Sequence, residues 1–176
     1  MKILITYSSG YGSTKEVAER IGKTLEEEKS FDITLSSIDI VSSILEYDGI
    51  IVGSSVRADL PLANVRDFFA RERFVLPDKK VAFFAVCLSA NCEEGRENIK
   101  TNYILPLFDN YPKIKLLSTE AFGGKIDFDK LNPVMKSLMK KVLEKTGLPT
   151  DGSIDTRDWD FIDSWAYDIR QKLLAS

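Results

Sequence analysis

The sequence predicts an α/β protein with a doubly wound, five-stranded parallel sheet in the strand order 2-1-3-4-5. Short apolar runs alternate with amphipathic helical patterns along nearly the whole chain. Two runs, Gly49–Gly53 and Val81–Val86, are apolar throughout, which is typical of strands buried on both faces of a parallel sheet. The segments after the first, third and fourth runs are rich in Ser, Gly, Ala and Asn. Such segments are expected where a sheet of this kind binds a ligand at its carboxyl edge.

The predicted elements follow one another in a regular order. The strands are expected at Ile3–Tyr7, Phe31–Leu35, Gly49–Gly53, Val81–Val86 and, last, within 114–122. The helices are expected over about 14–28, 61–71, 93–111, 131–145 and 159–174, so that an extra helix precedes the C-terminal one. Pro61 is expected in the first turn of its helix, where proline is favoured. The segment 146–155, which contains glycines and a proline, is expected to be a connection.

Length and composition indicate the class of protein. The 176 residues, 44% hydrophobic and 29% charged, are typical of a globular protein, and we expect one domain over 1–176. A net charge of −3 offers no basic surface for nucleic acid. No apolar stretch approaches the roughly 20 residues of a membrane span. No signal segment precedes the first strand, so a cytoplasmic location is expected.

Few residue types suited to metal binding or acid–base catalysis are present. The absence of histidine excludes His-based catalysis, and with two cysteines it speaks against a zinc site, so no metal is expected. Cys87 and Cys92 are separated by a Cys-x-x-x-x-Cys spacing, which is not that of a redox dithiol. Structural thiols are therefore favoured over a redox pair near a cofactor.

The turn after the first strand is the strongest candidate site. It reads Ser8-Ser9-Gly10-Tyr11-Gly12-Ser13-Thr14 and leads directly into a helix, so it can present backbone N–H groups and a positive helix end to a phosphate. Gly10 and Gly12 fit a dinucleotide fingerprint, but Lys15 occupies the third glycine position, and the P-loop lysine is absent as well. A loop with neutral donors for a terminal phosphomonoester suits flavin mononucleotide (FMN). One of the four Ser and Thr residues of this turn is also expected to be the N-cap of the helix. The alternative to a phosphate site is an ordinary turn between strand and helix, with Ser and Gly as caps.

This stretch resembles the signature of the flavodoxin superfamily. The signature positions are filled by Tyr7, Ser9, Gly12, Thr14, Ala18 and Ile21. Thr6 departs from the pattern, because the family has an apolar residue there. More of the chain is similar to the flavodoxin-like, menaquinone-dependent protoporphyrinogen oxidases. The similar segments are Gly53-Ser54-Ser55-Val56-Arg57, Phe122-Gly123-Gly124-Lys125, Thr150-Asp151, Asp155-Thr156 and Asp158-Trp159.

The resemblance implies roles for three segments in binding FMN. The phosphate would be held by Ser9, Gly10, Tyr11, Gly12, Ser13 and Thr14. One side of the isoalloxazine ring would be lined by Ser54, Ser55, Val56 and Arg57. The other side would be lined by Cys87, Leu88, Ser89, Ala90 and Asn91. No side chain is identified as a catalytic acid or base.

The resemblance also implies an activity in haem biosynthesis. Hydride would pass from an apolar reduced substrate, such as a porphyrinogen, to FMN and then to a quinone or another redox partner. Arg57 near the flavin pyrimidine would raise the flavin potential; a surface pair with Asp59 or Glu72 is the alternative. The helix over 131–145 has one apolar and one lysine-rich face. It suits either a peripheral membrane contact or a core helix with a solvated basic side.

Two other functions compete with this interpretation. A one-electron carrier flavodoxin is usually strongly acidic and stacks the ring between aromatic residues, whereas the net charge here is −3 and neither ring-lining segment contains Trp, Tyr or Phe. A flavin-free signalling domain would need an acidic cluster after the first strand and an Asp after the third. Ser8, Ser9 and Gly53 stand at those positions instead.

Overall fold

The fold is built on one parallel sheet, in a computed structural model that describes residues 1–57, 60–144, 149 and 151–175. The parallel strands are β1 Lys2–Ser8, β2 Asp32–Ser37, β3 Gly49–Arg57, β5 Lys80–Val86 and β6 Leu116–Phe122, and β4 Leu60–Pro61 pairs antiparallel with the end of β3. The order β2-β1-β3-β5-β6 is the predicted order 2-1-3-4-5 of the parallel strands. The predicted fold class is therefore confirmed.

Helices cover both faces of the sheet. These helices are α1 Ser13–Leu25, α2 Ala63–Glu72, α3 Glu93–Ile99, α4 Leu105–Asp109 and α6 Trp159–Ala175, while α5 Pro133–Glu144 lies apart from the sheet. One face packs against α1 and α6 through Ile5 and Phe84, and the other packs against α2, α3 and α4 through Val52 and Phe83. Successive strand residues point to opposite faces, so both sets must be apolar, which explains the continuous apolar runs. Within the described ranges, no helix is long and apolar enough to cross a membrane.

A small accessory unit lies between β6 and α6. It consists of β7 Lys125–Asp127, α5 and β8 Ser153–Asp155, and the two strands pair antiparallel. Its own apolar cluster contains Ile126, Phe128, Leu131, Leu143 and Ile154. The sequence predicted the helix but not the strands, because strands of three residues carry too short an alternation to detect. The predicted connection over 146–155 lies partly outside the described residues.

Several predicted boundaries are wrong. β3 continues to Arg57 instead of ending at Gly53, because β4 folds back on it and pairs Val56 with Pro61. Pro61 therefore lies in β4, and α2 begins at Ala63. In addition, α1 ends at Leu25, and a π-helical turn over 100–104 interrupts the helix predicted over 93–111. Pro106 follows that turn and cannot donate a backbone hydrogen bond to a regular α-helix.

An ion pair joins α1 to α6 on the same face of the sheet. Arg20 Nε donates to Asp163 Oδ1 at 2.7 Å, and Thr24 Oγ1 donates to the same oxygen at 3.2 Å. The hydrogen bond from Arg20, followed by that from Thr24, holds the pKa of the Asp163 carboxyl below its ordinary value of 3.8. Because the folded state binds this proton less tightly than the unfolded chain, the pair stabilises the fold above pH 3.8 and loses its effect as the pH falls through the lowered pKa.

Replacing the carboxylate tests this pair. We expect Asp163→Asn to lower the free energy of unfolding at neutral pH by about 1 kcal/mol, because a partly shielded charged hydrogen bond is lost. The variant should also lose less stability than the wild type between about pH 5 and pH 3. Urea unfolding at several pH values measures both effects. The control is Asp168→Asn, which breaks the exposed ion pair of Asp168 with Lys172. We expect it to change the free energy of unfolding by at most about 0.5 kcal/mol.

Thr6 is an unusual polar residue in β1, an inner strand of the sheet. Its side chain is 0% exposed, and its hydroxyl has no hydrogen-bond partner among the described residues. We expect Thr6→Val to raise the free energy of unfolding by about 1 kcal/mol, because valine keeps the shape and removes an unsatisfied buried group. Thr24→Val is the matched control, since the Thr24 hydroxyl donates to Arg20 O and Asp163 and its loss should destabilise the fold. Equal destabilisation by both substitutions in urea unfolding would contradict this prediction.

Candidate functional site

The three predicted site segments begin at one edge of the sheet. The first and third segments follow the carboxyl ends of β1 and β5, and the second is the carboxyl end of β3; these three strands are neighbours in the sheet. In the strand register, Ser8 stands beside Ser54, and Ser54 stands beside Ala85. The strand order reverses between β1 and β3, and ligands of doubly wound sheets bind where the order reverses. The topology therefore brings together segments that are up to about eighty positions apart.

The turn between β1 and α1 presents a helix end to this edge. Gly12 precedes α1 with φ of 92°, a left-handed conformation that favours glycine. Gly12 N–H donates to Ser9 Oγ at 3.0 Å, which closes the turn on itself. Among the described residues, no side chain caps α1. The expectation of a Ser or Thr cap is thus wrong, and the first amides of α1 are left for another acceptor.

Thr14, in the first turn of α1, provides the test for a phosphate ligand. Its side chain is 0% exposed, and its hydroxyl lacks a hydrogen-bond partner within the described residues. A buried hydroxyl of this kind is costly unless something outside the chain satisfies it. Neutral donors at a positive helix end suit a phosphate monoester. The residues present therefore fit the phosphate of FMN.

Neighbouring hydroxyls hold the turn in place. Ser13 Oγ accepts a hydrogen bond from Lys125 N–H at 3.1 Å, which joins the turn to β7. Ser8 Oγ donates to Asn64 Oδ1 at 2.7 Å, and Asn64 Nδ2 donates to Asp39 Oδ1 at 2.8 Å. The sequence analysis missed Asn64, because its partners lie 56 and 25 positions away and nothing local marks it.

The second segment is the end of β3 rather than a loop. Ser54 is fully buried; its hydroxyl donates to Ser55 O at 3.0 Å and accepts from Leu62 N–H at 3.2 Å. Ser55 Oγ donates to Ser8 O at 3.4 Å, so it joins the first two segments. Val56 is half-buried against the core. The Arg57 side chain lies outside the described residues, and Glu72, one partner considered for it, pairs with Arg71 at 2.8 Å.

The side chains of the third segment, residues 87–91, lie in three different environments. Ala90 is buried in the core beside α2 to α4. Leu88 packs against the cluster of the accessory unit. Cys87 Sγ lies 3.1 Å from Ser89 Oγ at the edge itself, and Asn91 is exposed. Both cysteines are free thiols, and no group of three or more metal-ligating side chains occurs in the described parts of the chain.

An ionic bridge connects the accessory unit to α1, and the sequence analysis did not find it. Arg157 Nη1 lies 2.6 Å from Glu16 Oε2, and its Nη2 lies 2.6 Å from Asp155 Oδ2. Burial lowers the pKa of Arg157, but hydrogen bonds to Asp155 and Glu16 outweigh burial and raise it, so the guanidinium stays charged. The hydrogen bond from Arg157 lowers the pKa of Asp155. No sequence pattern predicts a pair 141 positions apart.

Comparison with known proteins identifies the class to which this fold and site belong. A family model described as a flavodoxin domain matches residues 4–153. The chain therefore belongs to the flavodoxin domain family, and it is a flavin-binding protein of the flavodoxin fold. FMN is the cofactor of flavodoxin-fold relatives, as predicted, and flavodoxins carry electrons to redox partners. A search of curated proteins gives no match.

Solved structures support the fold over the full length. The chain is similar to oxidised flavodoxin 1 from Bacillus cereus, with 20% identity, a TM-score of 0.61, and coverage of 97% of this chain and 98% of that one. Flavodoxin 2 from the same organism has 21% identity, a TM-score of 0.58, and coverage of 98% and 99%. Rubredoxin oxygen:oxidoreductase from Desulfovibrio gigas has 13% identity and a TM-score of 0.61, over 99% of this chain but 36% of that longer one.

The Thr14 hydroxyl offers a direct test of the phosphate site. We expect Thr14→Val to raise the Kd for FMN about tenfold, because one hydrogen bond to the phosphate is lost. The same variant should stabilise the ligand-free protein by about 1 kcal/mol, because an unsatisfied buried group is removed. Flavin fluorescence quenching and urea unfolding measure the two effects.

Thr6→Val is the matched control for this experiment. It removes the other buried hydroxyl for which the described residues provide no partner, and it should leave the Kd for FMN unchanged. A Thr14→Val protein that binds FMN as tightly as the wild type would contradict the assignment.

Proposed function

We propose that this chain is an FMN-dependent oxidoreductase that oxidises an apolar, flat reduced substrate and passes the electrons to a quinone or another acceptor. Protoporphyrinogen is the substrate type that the sequence resemblance suggests. FMN, when bound, supplies the hydride and electron chemistry. The chain supplies the phosphate site, the walls of the ring site and the surface on which a substrate rests. The site residues named above are part of this proposal.

One observation carries the choice of an enzyme over a carrier. Leu88, in a segment proposed to line the ring, packs against the accessory unit together with half-buried Met135 and Met139. An apolar surface of this kind beside the sheet edge suits a flat organic substrate. The ring-lining segments contain no Trp, Tyr or Phe that would cover the ring face. An uncovered ring face would leave room for the substrate to stack.

The charged face of α5 supports a peripheral contact with a membrane, where quinones reside. Lys140 and Lys141 are exposed and Lys136 is half-buried, while Met135 and Met139 face the cluster. The helix predicted over 131–145 also contains Leu138 and Val142 on its apolar face and Lys145 on its lysine-rich face. The side chains of Leu138 and Val142 and residue Lys145 lie outside the described parts. Binding to vesicles of anionic lipid that disappears at high salt would support this contact. Equal recovery with and without vesicles in a flotation assay would contradict it.

A one-electron carrier is the second candidate. It is favoured by an open polar groove beside the third segment, lined by Asn91, Glu94, Glu97 and Asn98 among others. Its carboxylates lie next to the proposed ring site, where they could attract a basic redox protein. The two candidates differ in whether a small molecule reduces the bound flavin directly.

Anaerobic mixing of the FMN-loaded protein with protoporphyrinogen distinguishes the two functions. We expect the flavin absorbance to be lost on mixing and to return when menaquinone is added. We also expect Leu88→Asn to lower kcat/KM for the porphyrinogen about tenfold, because part of the apolar surface is lost, while the Kd for FMN changes by less than about threefold.

A matched Leu→Asn control is available at the opposite end of the sheet. Leu45 is 70% exposed in the segment before β3, and Leu45→Asn should leave kcat/KM unchanged. If the flavin is reduced by dithionite but not by protoporphyrinogen, the carrier function is favoured instead.

A further inference from the structure

Arg157 is a buried cation outside the segments that would bind FMN. It lies between β8 and α6, and its side chain is 3% exposed. Burial of a guanidinium is costly unless its donors are paired. Nε and Nη2 both bind the Asp155 carboxylate, at 2.8 and 2.6 Å, and Cζ lies 4.5 Å from the centre of the Trp159 ring. Asp155 and Trp159 thus hold Arg157 within its own segment, and Nη1 is directed toward α1.

The partner of Nη1 is a carboxylate beside residues 8–14, the turn between β1 and α1 that is proposed to bind the phosphate and is called the phosphate turn below. Glu16 lies in the first turn of α1, and its N–H donates to Gly12 O at 3.0 Å. A Cβ built on Gly12 would stand 4.0 Å from Glu16 Oε1, so the carboxylate faces the turn. A negative charge stabilises a helix start but repels an anionic ligand bound at the same place. Glu16 alone would therefore oppose binding of a phosphate.

The chain path holds Arg157 against α1. Thr156 N–H donates to Gly124 O at 2.9 Å, and Gly124 N–H donates to Thr156 Oγ1 at 3.1 Å. At Gly123 the two segments approach so closely that an added Cβ would stand 2.0 Å from Thr156 O. Lys125 N–H in turn donates to Ser13 Oγ. These contacts hold the start of β7, Arg157 and the phosphate turn as one assembly.

We propose that Arg157 is a positioning residue for FMN: it neutralises Glu16 and so keeps the Glu16 carboxylate from repelling the FMN phosphate. This inference rests on the proposed function, because it requires FMN at the turn. Arg157 need not contact the ligand, since each of its three guanidinium nitrogens already donates to a carboxylate. Its effect should depend on the ligand phosphate and should be absent with riboflavin, which has the same ring without the phosphate.

Two ligands and four proteins test the proposal. We expect Arg157→Met to raise the Kd for FMN about tenfold, because a carboxylate near the phosphate loses its counter-charge, and the Kd for riboflavin less than about twofold. Adding Glu16→Gln to that variant removes the carboxylate as well and should restore the Kd for FMN to within about threefold of the wild-type value. Glu16→Gln alone should leave FMN binding at least as tight as in the wild type.

Arg20, the arginine of α1, provides the control. Arg20→Met breaks the ion pair of Arg20 with Asp163 on α6, and it should not alter the ratio of the two dissociation constants. Thermal unfolding without ligand reports the structural effect of each change. If Arg157→Met does not fold, the Glu16→Gln variant alone tests the proposal. A loss of FMN affinity in that variant would overturn it.

Other outcomes separate this inference from the proposed function. The inference is overturned if Arg157→Met weakens FMN and riboflavin binding equally, or if adding Glu16→Gln to Arg157→Met fails to restore FMN binding. In both cases the wild-type protein still binds FMN, so the proposed function is not affected. If the wild-type protein binds neither ligand, the proposed function fails, and this inference fails with it.

Discussion

The burial of a parallel sheet on both faces is the constraint on which the rest of this structure depends. It requires the central strands to be apolar on both sides, as in Ile50-Ile51-Val52 of β3, so polar groups are confined to the sheet edges. Because the strand order reverses between β1 and β3, the connections that follow them diverge to opposite faces and leave a crevice. The phosphate turn, the end of β3 and the segment after β5 all lie at that crevice.

Two buried threonines show that the role of a buried hydroxyl group depends on its position in the fold. Thr6 and Thr14 are both fully buried, with hydroxyls for which the described residues supply no partner. Thr14 lies at the positive end of α1, where a ligand phosphate can satisfy it. Thr6 lies within β1, where the core surrounds it. An unsatisfied group at a binding site is consistent with a protein that gives up some stability for ligand affinity.

The accessory unit contacts the segments that are proposed to bind FMN. Its apolar cluster meets the third segment through Leu88. Its backbone meets the phosphate turn where Lys125 binds Ser13. Arg157, which follows β8, forms an ion pair with Glu16 on α1. In the proposed function, this unit therefore forms part of the surface offered to a substrate and contacts the turn proposed to bind the phosphate.

The sequence by itself determined the features that depend on local pattern. The alternation of apolar runs with helical patterns predicted the doubly wound sheet and its helices. The composition of residues 8–14 predicted a turn that binds phosphate, because a contiguous turn carries its donors in its own residues. Tertiary structure decided where more distant residues meet. Only packing could show that Ala90 faces the core, that β4 extends β3 to Arg57, and that Arg157 pairs with Glu16. Such contacts depend on how segments distant in sequence pack together, and local periodicity carries no information about that packing.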